Sequence, residues 1–309
     1  GCMKFGRKDF QLAFKTGTDA NKAKFKKECV QGEIYHATDT GFFYVAEVTA
    51  GASDATLSKF GEPAFSNGYS LSFDGVDDGL SCDIPTTLMA TDFTTSMWVR
   101  LPASNVADGA LWENNYDVSG KIGWRLYFAS TSGSNHGILS VWVSNGSGDY
   151  HNPFYTGASD TLLGNDIWSN IVWGRNSGTH FLYVNGSQPT LVAGTQGFDS
   201  SSSNFSSTPA LKINPTNIGT GPFQGYVDEC AIWNVALSSS EIASIRDTSG
   251  TNPVPSDLSS LGNSGNGPIV WWRMGDDNTS GSTISNAQNP GTNDATFINA
   301  PTLSTQVPS

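Results

Sequence analysis

From Tyr69 onward one pattern recurs: a short run in which apolar and polar residues alternate, closed by a Gly, Asn or Asp turn. Tyr69-Ser-Leu-Ser-Phe73 alternates and turns at Asp74-Gly75, and Met97–Leu101, Trp124–Phe128 and Ile138–Val143 repeat it. A two-residue period sends successive side chains to opposite faces of an extended backbone, so each run predicts a half-buried strand. Trp168–Trp173 and His180–Val184 predict a hairpin pair, the first ending near Arg175–Gly178 and the second running into Asn185-Gly186. Ala210–Asn214, Gly225–Trp233, Ile269–Met274 and Ala295–Ile298 add further strands. Strand follows strand without intervening helices, which argues a sandwich and not βαβ units. The composition agrees: 34 Gly supply turns, while charged residues are only 14%, low for a helical chain.

One segment breaks the pattern. Leu237–Ile245 offers a Ser cap followed by Glu241 and spaces Leu237, Ile242 and Ile245 along one face, predicting a short helix. Ser249–Gly267 after it is rich in Ser, Asn, Pro and Gly and predicts a long excursion, from which the last strands return beside the first ones. The N-terminal part reads differently. Asp19–Lys27 predicts a short helix, Glu33–Ala37 and Phe42–Glu47 a β-hairpin about Thr38–Gly41, and Thr49–Ser58 a linker. These readings divide the chain into an N-terminal anchoring or oligomerisation segment, residues 1–61, and a β-sandwich domain, residues 62–309. The predicted fold class is all-β, a two-sheet antiparallel sandwich with a small segment ahead of it that contains a β-hairpin.

Charge follows the same division. Residues 1–60 hold nine Lys/Arg against seven Asp/Glu, whereas the remainder holds seven against 21. A body this acidic repels nucleic acid, and the basic N-terminus is suited to an acidic neighbour or is a solvated tail. No apolar run reaches membrane-spanning length, so no membrane insertion is expected, and the start from Met3 to Lys8 lacks the apolar stretch of a signal peptide. Cys2, Cys29, Cys82 and Cys230 form no C-x-x-C pair; Cys82 and Cys230 read as small buried apolar residues, with a bridge between them as the alternative.

Several ordered pieces carry a family resemblance: Ser70–Gly75, Phe93–Arg100, Trp168–Arg175, Leu182–Gly186 and Phe223–Asn234, followed by Ala236-Leu-Ser238 and Glu241-Ile242. Together, over residues 64–309, they resemble the laminin-G-like, concanavalin A-like lectin/glucanase jelly roll. Gly267–Asp276, Pro290–Phe297 and Val307–Ser309 are similar to the C-terminal ends of such domains in phage virion proteins, and Gly32–Val45 resembles hairpins near the start of phage fibre and appendage proteins. The resemblance implies two packed antiparallel sheets, rim loops that bind glycans, and often a rim calcium. Fold does not fix function, so each site is argued separately.

Jelly-roll glucanases need two carboxylates flanking the sugar bond, from alternating acids on one strand. No such run occurs here; Asp228 and Glu229 are adjacent and on a regular strand would point to opposite faces. The four His lie away from any nucleophile elbow, so the chain is not expected to be an enzyme. No cofactor is required. For calcium, the candidates are Asp74, Asp77 and Asp78; the competing reading is that Asp in such turns bonds its own backbone. The stretch Asn214–Pro222, where pentraxin-like relatives carry acids, has none. Glycan binding needs aromatic faces beside planar polar groups, and the candidates are Tyr116, Asp117, Asp149, Tyr150, His151, Asn152 and Tyr155. The competing reading is that such rings pin their loops. Trp98, Trp142, Trp173 and Trp233 read as core.

The expected function is a phage virion structural protein (capsid decoration, head fibre or tail appendage), surface-exposed on the virion. Residues 1–61 would contact capsid or tail proteins, and the jelly roll would bind a cell-surface glycan. Homo-oligomers, trimers foremost, are the expected assembly. The alternative is a secreted or cell-surface bacterial carbohydrate-binding module; a glycoside hydrolase is the least favoured.

Overall fold

The computed structural model describes residues 3–7, 10–17, 34–37, 43–47, 56–60, 65–84, 92–102, 108–114, 123–131, 135–144, 150–156, 163, 166–193, 210–214, 222–276 and 279–309. The chain forms two compact units, Gly1–Ser66 and Asn67–Ser309. The first holds a five-stranded sheet in the order of the chain: β1 (Met3–Arg7), β2 (Phe10–Gly17), β3 (Ile34–Ala37), β4 (Phe43–Glu47) and β5 (Thr56–Phe60). The predicted hairpin is the antiparallel pair β3–β4. β5 occupies the end of the predicted linker, where Thr56-Leu-Ser-Lys-Phe60 alternates well enough to pair with β4. The predicted helix Asp19–Lys27 lies outside the described residues.

The second unit is the jelly roll. Its strands are β6 (Ser70–Asp74), β7 (Gly79–Asp83), β8 (Phe93–Arg100), β9 (Gly109–Asn114), β10 (Gly123–Thr131), β11 (Asn135–Ser144) and β12 (Tyr150–Thr156). There follow β13 (Trp168–Asn176), β14 (Thr179–Val184), β15 (Leu191–Ala193), β16 (Ala210–Ile213), β17 (Gln224–Trp233), helix α1 (Ser239–Ala243), β18 (Arg246–Asp247) and β19 (Val254–Pro255). The last are β20 (Val270–Trp272), β21 (Thr279–Ser280), β22 (Thr283–Ile284), β23 (Ala295–Ile298) and β24 (Thr302–Ser304). One sheet has ten strands, ordered β15-β12-β11-β10-β9-β16-β7-β23-β22-β21; the other has seven, ordered β14-β13-β8-β17-β6-β24 with β20 on β17. All pairings in both sheets are antiparallel.

Turn chemistry sets the registers. β13 and β14 are joined through Ser177 (φ 48°) and Gly178 (φ 83°), and β14 ends in Asn185 (φ 52°) and Gly186 (φ 79°). Both are two-residue turns with positive φ at each central position, whose twist matches that of the strands. Between the sheets the inward positions meet: Leu71 and Phe73 of β6, Met97 of β8, Trp124 of β10 and Trp173 of β13 are all at most 1% exposed. Phe93, Trp124 and Trp173 pack ring on ring, with centroids 4.7 to 6.2 Å apart. Cys82 and Cys230 are buried with free thiols, and burial pushes both above the ordinary thiol range.

A second apolar layer lies behind the seven-stranded sheet. Trp98 alternates with Met97 and Val99 and so faces away from the sandwich core, as do Val172 and Trp233, yet all three are buried. Leu237, Ile242, Ile245 and Leu258, from the segment after β17, are buried with them. The predicted helix supplies part of this cover, and Ser238 and Glu241 cap it reciprocally. Thr94 fastens the cover: its hydroxyl donates to the Val235 carbonyl and accepts from the Leu237 amide, both at 2.9 Å. Trp233 Nε1 donates to the Leu261 carbonyl at 2.6 Å. Gly262 sits so close that a Cβ there would lie 2.5 Å from Leu237 and 2.9 Å from Trp233. Among the described residues no helix is long and apolar enough to cross a membrane.

Candidate functional site

Among the described residues, the outer face of the ten-stranded sheet keeps side chains partly open. On β10, Trp124, Leu126 and Phe128 point into the core, so Arg125 and Tyr127 point out; on β11, Val141 and Val143 point in, so Ser140 and Trp142 point out. Cross-strand pairing then sets Trp142, Arg125, Glu113, Lys212 and Ser81 in one row across five strands. Tyr155, Ser140 and Tyr127 form the row beside it. Trp142, Arg125, Tyr127 and Tyr155 are each half-buried, whereas Glu113 is only 4% exposed within its row.

The strip is held rigidly. Arg125 lies over the Tyr127 ring, its guanidinium carbon 4.9 Å from the centroid. Tyr127 Oη donates to Asp108 Oδ2 at 2.5 Å, and burial together with that carboxylate pushes the phenol well above its ordinary range. Trp142 Nε1 donates to Ser140 Oγ at 3.0 Å, which fixes the indole against the sheet. Three partly exposed rings around a cation and a carboxylate can stack on the apolar face of a sugar and hydrogen-bond its hydroxyls.

Some of the sequence candidates fall beside this strip. Tyr155 belongs to it. Asn152 lies on β12 where the pairing with β11 shifts between Val141 and Val143, and the backbones of Tyr150 and His151 sit opposite Ser144 and Val143. Tyr116, Asp117 and Asp149 lie outside the described residues. Trp142, Arg125 and Tyr127 were not among the candidates, and Trp142 is not core as expected. The signal for them was available: Ser140, two residues before Trp142, marks the polar face of β11, and Arg125 and Tyr127 share one parity on β10. Trp98 and Trp233 are buried as expected but on the outer side of the seven-stranded sheet; Trp173 alone of the four lies in the sandwich core.

The structure does bring Asp74, Asp77 and Asp78 together, with ligating atoms within 4.8 Å of one another. Three of the four oxygens of Asp74 and Asp78 are engaged by amides of the same corner. Asp74 Oδ1 accepts from Val76 N at 2.7 Å and Asp77 N at 3.3 Å; Asp78 Oδ2 accepts from Asp74 N at 3.0 Å and Oδ1 from Ala300 N at 3.3 Å. Buried Asn214 fastens the corner, its Nδ2 donating to the Asp78 carbonyl at 3.0 Å and to the Phe223 carbonyl at 3.1 Å. Calcium takes six to eight oxygens, so this arrangement fits a self-bonded turn better than a cation cage.

The expectation that Asp228 and Glu229 diverge is overturned. The register between β17 and β8 shifts between Asp228 and Ala231, and Glu229 takes φ 45°, so a bulge inserts a residue and re-aims the side chains. Both carboxyls are buried, at 0% and 1% exposure, in one network. Glu229 accepts from Trp271 Nε1 at 2.5 Å and from Arg273 Nε at 3.1 Å; Asp228 Oδ2 accepts from Asn67 Nδ2 at 2.9 Å. Desolvation raises both, Asp228 well above the carboxylate range with Glu229 adding to it, and Glu229 to about 7 against the pull of Arg273. A paired acid with one member near 7 is a glycosidase-like signature, but these oxygens are sealed from any sugar. At the far edge of the seven-stranded sheet His180 stacks on Trp173, centroids 5.8 Å apart, and burial with nearby Arg175 lowers it to about 4.

A sequence-family model, the laminin G type described as concanavalin A-like lectin/glucanases superfamily, matches residues 74–243. No curated protein matches the chain. A Bacteroides ovatus protein provisionally described as carbohydrate binding shares the fold at TM-score 0.51 and 15% identity, over 90% of this chain and 70% of that one. The carbohydrate-binding domain, CBM40, of the Ruminococcus gnavus sialidase, solved bound to α2,3-sialyllactose, aligns at TM-score 0.40 and 13% identity, over 57% and 96%. The heptameric SAP-like pentraxin of Limulus polyphemus aligns at TM-score 0.40 and 13% identity, over 60% and 84%. With more than half of the chain matched by the family model and the two-sheet jelly roll in place, this chain belongs to the concanavalin A-like lectin/glucanase superfamily.

Proposed function

We propose that this protein binds carbohydrate, without acting on it, through the outer face of the ten-stranded sheet. The observation that carries the reading is the strip of Trp142, Tyr127 and Tyr155 about Arg125: three partly open aromatic side chains in adjacent rows of one sheet face, with a cation among them. A glycan panel titrated against the purified chain, read by tryptophan fluorescence, tests it. Binding that Trp142→Ala and Tyr127→Ala abolish is the expected result. Binding indifferent to both, or steady turnover of a bound glycan, would overturn the reading.

We further propose that the lectin-like domain is displayed on a phage virion, as a capsid decoration, head fibre or tail appendage. Residues 1–61 anchor it to capsid or tail proteins, and it assembles as a homo-oligomer, a trimer foremost. What supports this is the likeness of Gly267–Asp276 and Gly32–Val45 to virion proteins, together with the contrast between a basic N-terminal stretch and an acidic body. Mass spectrometry of purified virions is the test. Absence of the chain from particles and its presence on bacterial cells or in medium would replace this reading with a surface carbohydrate-binding module.

A further inference from the structure

Asn67 is followed by glycine, the residue that least hinders attack of the next backbone nitrogen on an asparagine side chain. Asn145-Gly146, Asn185-Gly186 and Asn266-Gly267 share that sequence. Asn145-Gly146 lies outside the described residues; at Asn67-Gly68 acidic side chains bracket the pair on both sides. Gly68 N donates to Asp276 Oδ1 at 2.8 Å, and a Cβ at position 68 would lie 3.2 Å from that oxygen, so the glycine lets the carboxylate sit on the amide. Asp276 Oδ2 is 3.8 Å from Arg273 Nη2, company that suits a carboxylate. Asn67 Nδ2 donates to Asp228 Oδ2 at 2.9 Å, while Asn67 Oδ1 is buried without a donor. Burial and neighbouring Glu229 raise the affinity of Asp228 for a proton. A carboxylate thus accepts from the attacking nitrogen, and a carboxyl of raised proton affinity accepts from the leaving one, which puts a base and an acid where the reaction needs them.

We propose that Asn67-Gly68 is a self-modifying site, at which Asp276 and Asp228 promote conversion of Asn67 to aspartate or isoaspartate. The Gly68 nitrogen attacks Asn67 Cγ and its proton passes to Asp276. The Cγ–Nδ2 bond breaks, and ammonia leaves with a proton from Asp228. Water then opens the succinimide ring, so that one water enters and one ammonia departs, with no oxidant or reductant. The product puts a carboxylate beside Asp228 in place of the amide that donated to it, with the Asp276 carboxylate at the next residue, at the point where the second unit begins.

Peptide mapping of the full chain during long incubation at neutral pH, with isoaspartate detection, tests this. Asn67 is expected to convert roughly tenfold faster than Asn185 or Asn266, a modest share of what a positioned acid and base supply. Asp276→Asn should remove that excess while leaving the other two sites unchanged; an excess at Asn67 that persists in this variant would sink the proposal. On the unaltered chain, the ratio of conversion at Asn67 to that at Asn185 should fall as pH rises and Asp228 loses its proton. Conversion at Asn67 no faster than at its fellows, or a ratio that climbs with pH, would overturn the proposal.

Discussion

The two outer faces of the jelly roll start from the same alternation and end differently. On the seven-stranded sheet the outward positions Trp98, Val172 and Trp233 are all buried, Trp233 against Gly262 and Leu261 of the segment that follows β17. On the ten-stranded sheet the outward Trp142, Arg125 and Tyr127 stay partly open. Periodicity therefore decides which residues leave the core, but not whether they meet solvent. That depends on where a loop of sufficient length and apolar content is anchored, here by Thr94 and by the close approach at Gly262.

Trp233→Ala should break the covered face, with a loss of about 3–5 kcal/mol from the lost burial and the cavity left behind. Trp142→Ala on the open face should cost less than about 1 kcal/mol while removing glycan binding. Equal costs in urea melts would erase the distinction between the faces.

A second difference is electrostatic. Glu229, buried against Trp271 and Arg273, has its carboxyl raised to about 7 from an ordinary 4.5, so the folded chain holds a proton that the unfolded chain has released. Its contribution is full below about pH 4.5 and is lost as pH rises towards 7, and raised Asp228 acts in the same direction. His180, between the sheets, behaves oppositely: held at about 4 against an ordinary 6.5, it costs stability as pH falls through that window. Glu229 and His180 are each worth about 3 kcal/mol at most. Glu229→Gln should flatten the alkaline loss and His180→Phe the acid one in melts across this range; unchanged profiles would mean that these groups do not titrate as their burial requires.

Gly262→Ala should cost about 2 kcal/mol, because the new methyl meets Trp233 and Leu237 and the backbone needs φ 75°. The smallest effect is expected from calcium, which should leave the melting temperature unchanged; a clear rise abolished by Asp77→Asn would restore the cation reading of that corner.

Much of this was legible in the sequence. The alternating runs marked the strands, Asn185-Gly186 and Ser177-Gly178 marked the turns, and Ser238 with Glu241 marked the helix start. The bulge at Glu229 was not, since nothing in Asp228-Glu229-Cys230 distinguishes a straight strand from one that re-aims a side chain; only the partner strand reveals it. The glycan strip was half legible. Aromatic residues near turns point to Tyr155 but not to Trp142, because an indole in a strand is usually inward and its register partner Arg125 lies on another strand.

The closing pairs of the sandwich join residues far apart in the chain: Thr302–Ser304 with Ser70–Ser72, and Thr296–Ile298 with Gly79–Ser81. A ribosome that has just added Gly291 has made both inner faces of the jelly roll but neither of the strands that complete β6 and β7. Until then the bare backbone of those two strands is open to any passing extended chain, a neighbouring copy included. Correct maturation therefore depends on the interval between synthesis of the first and last strands being guarded or short, and a premature stop anywhere before Thr302 leaves the seven-stranded sheet with an adhesive margin.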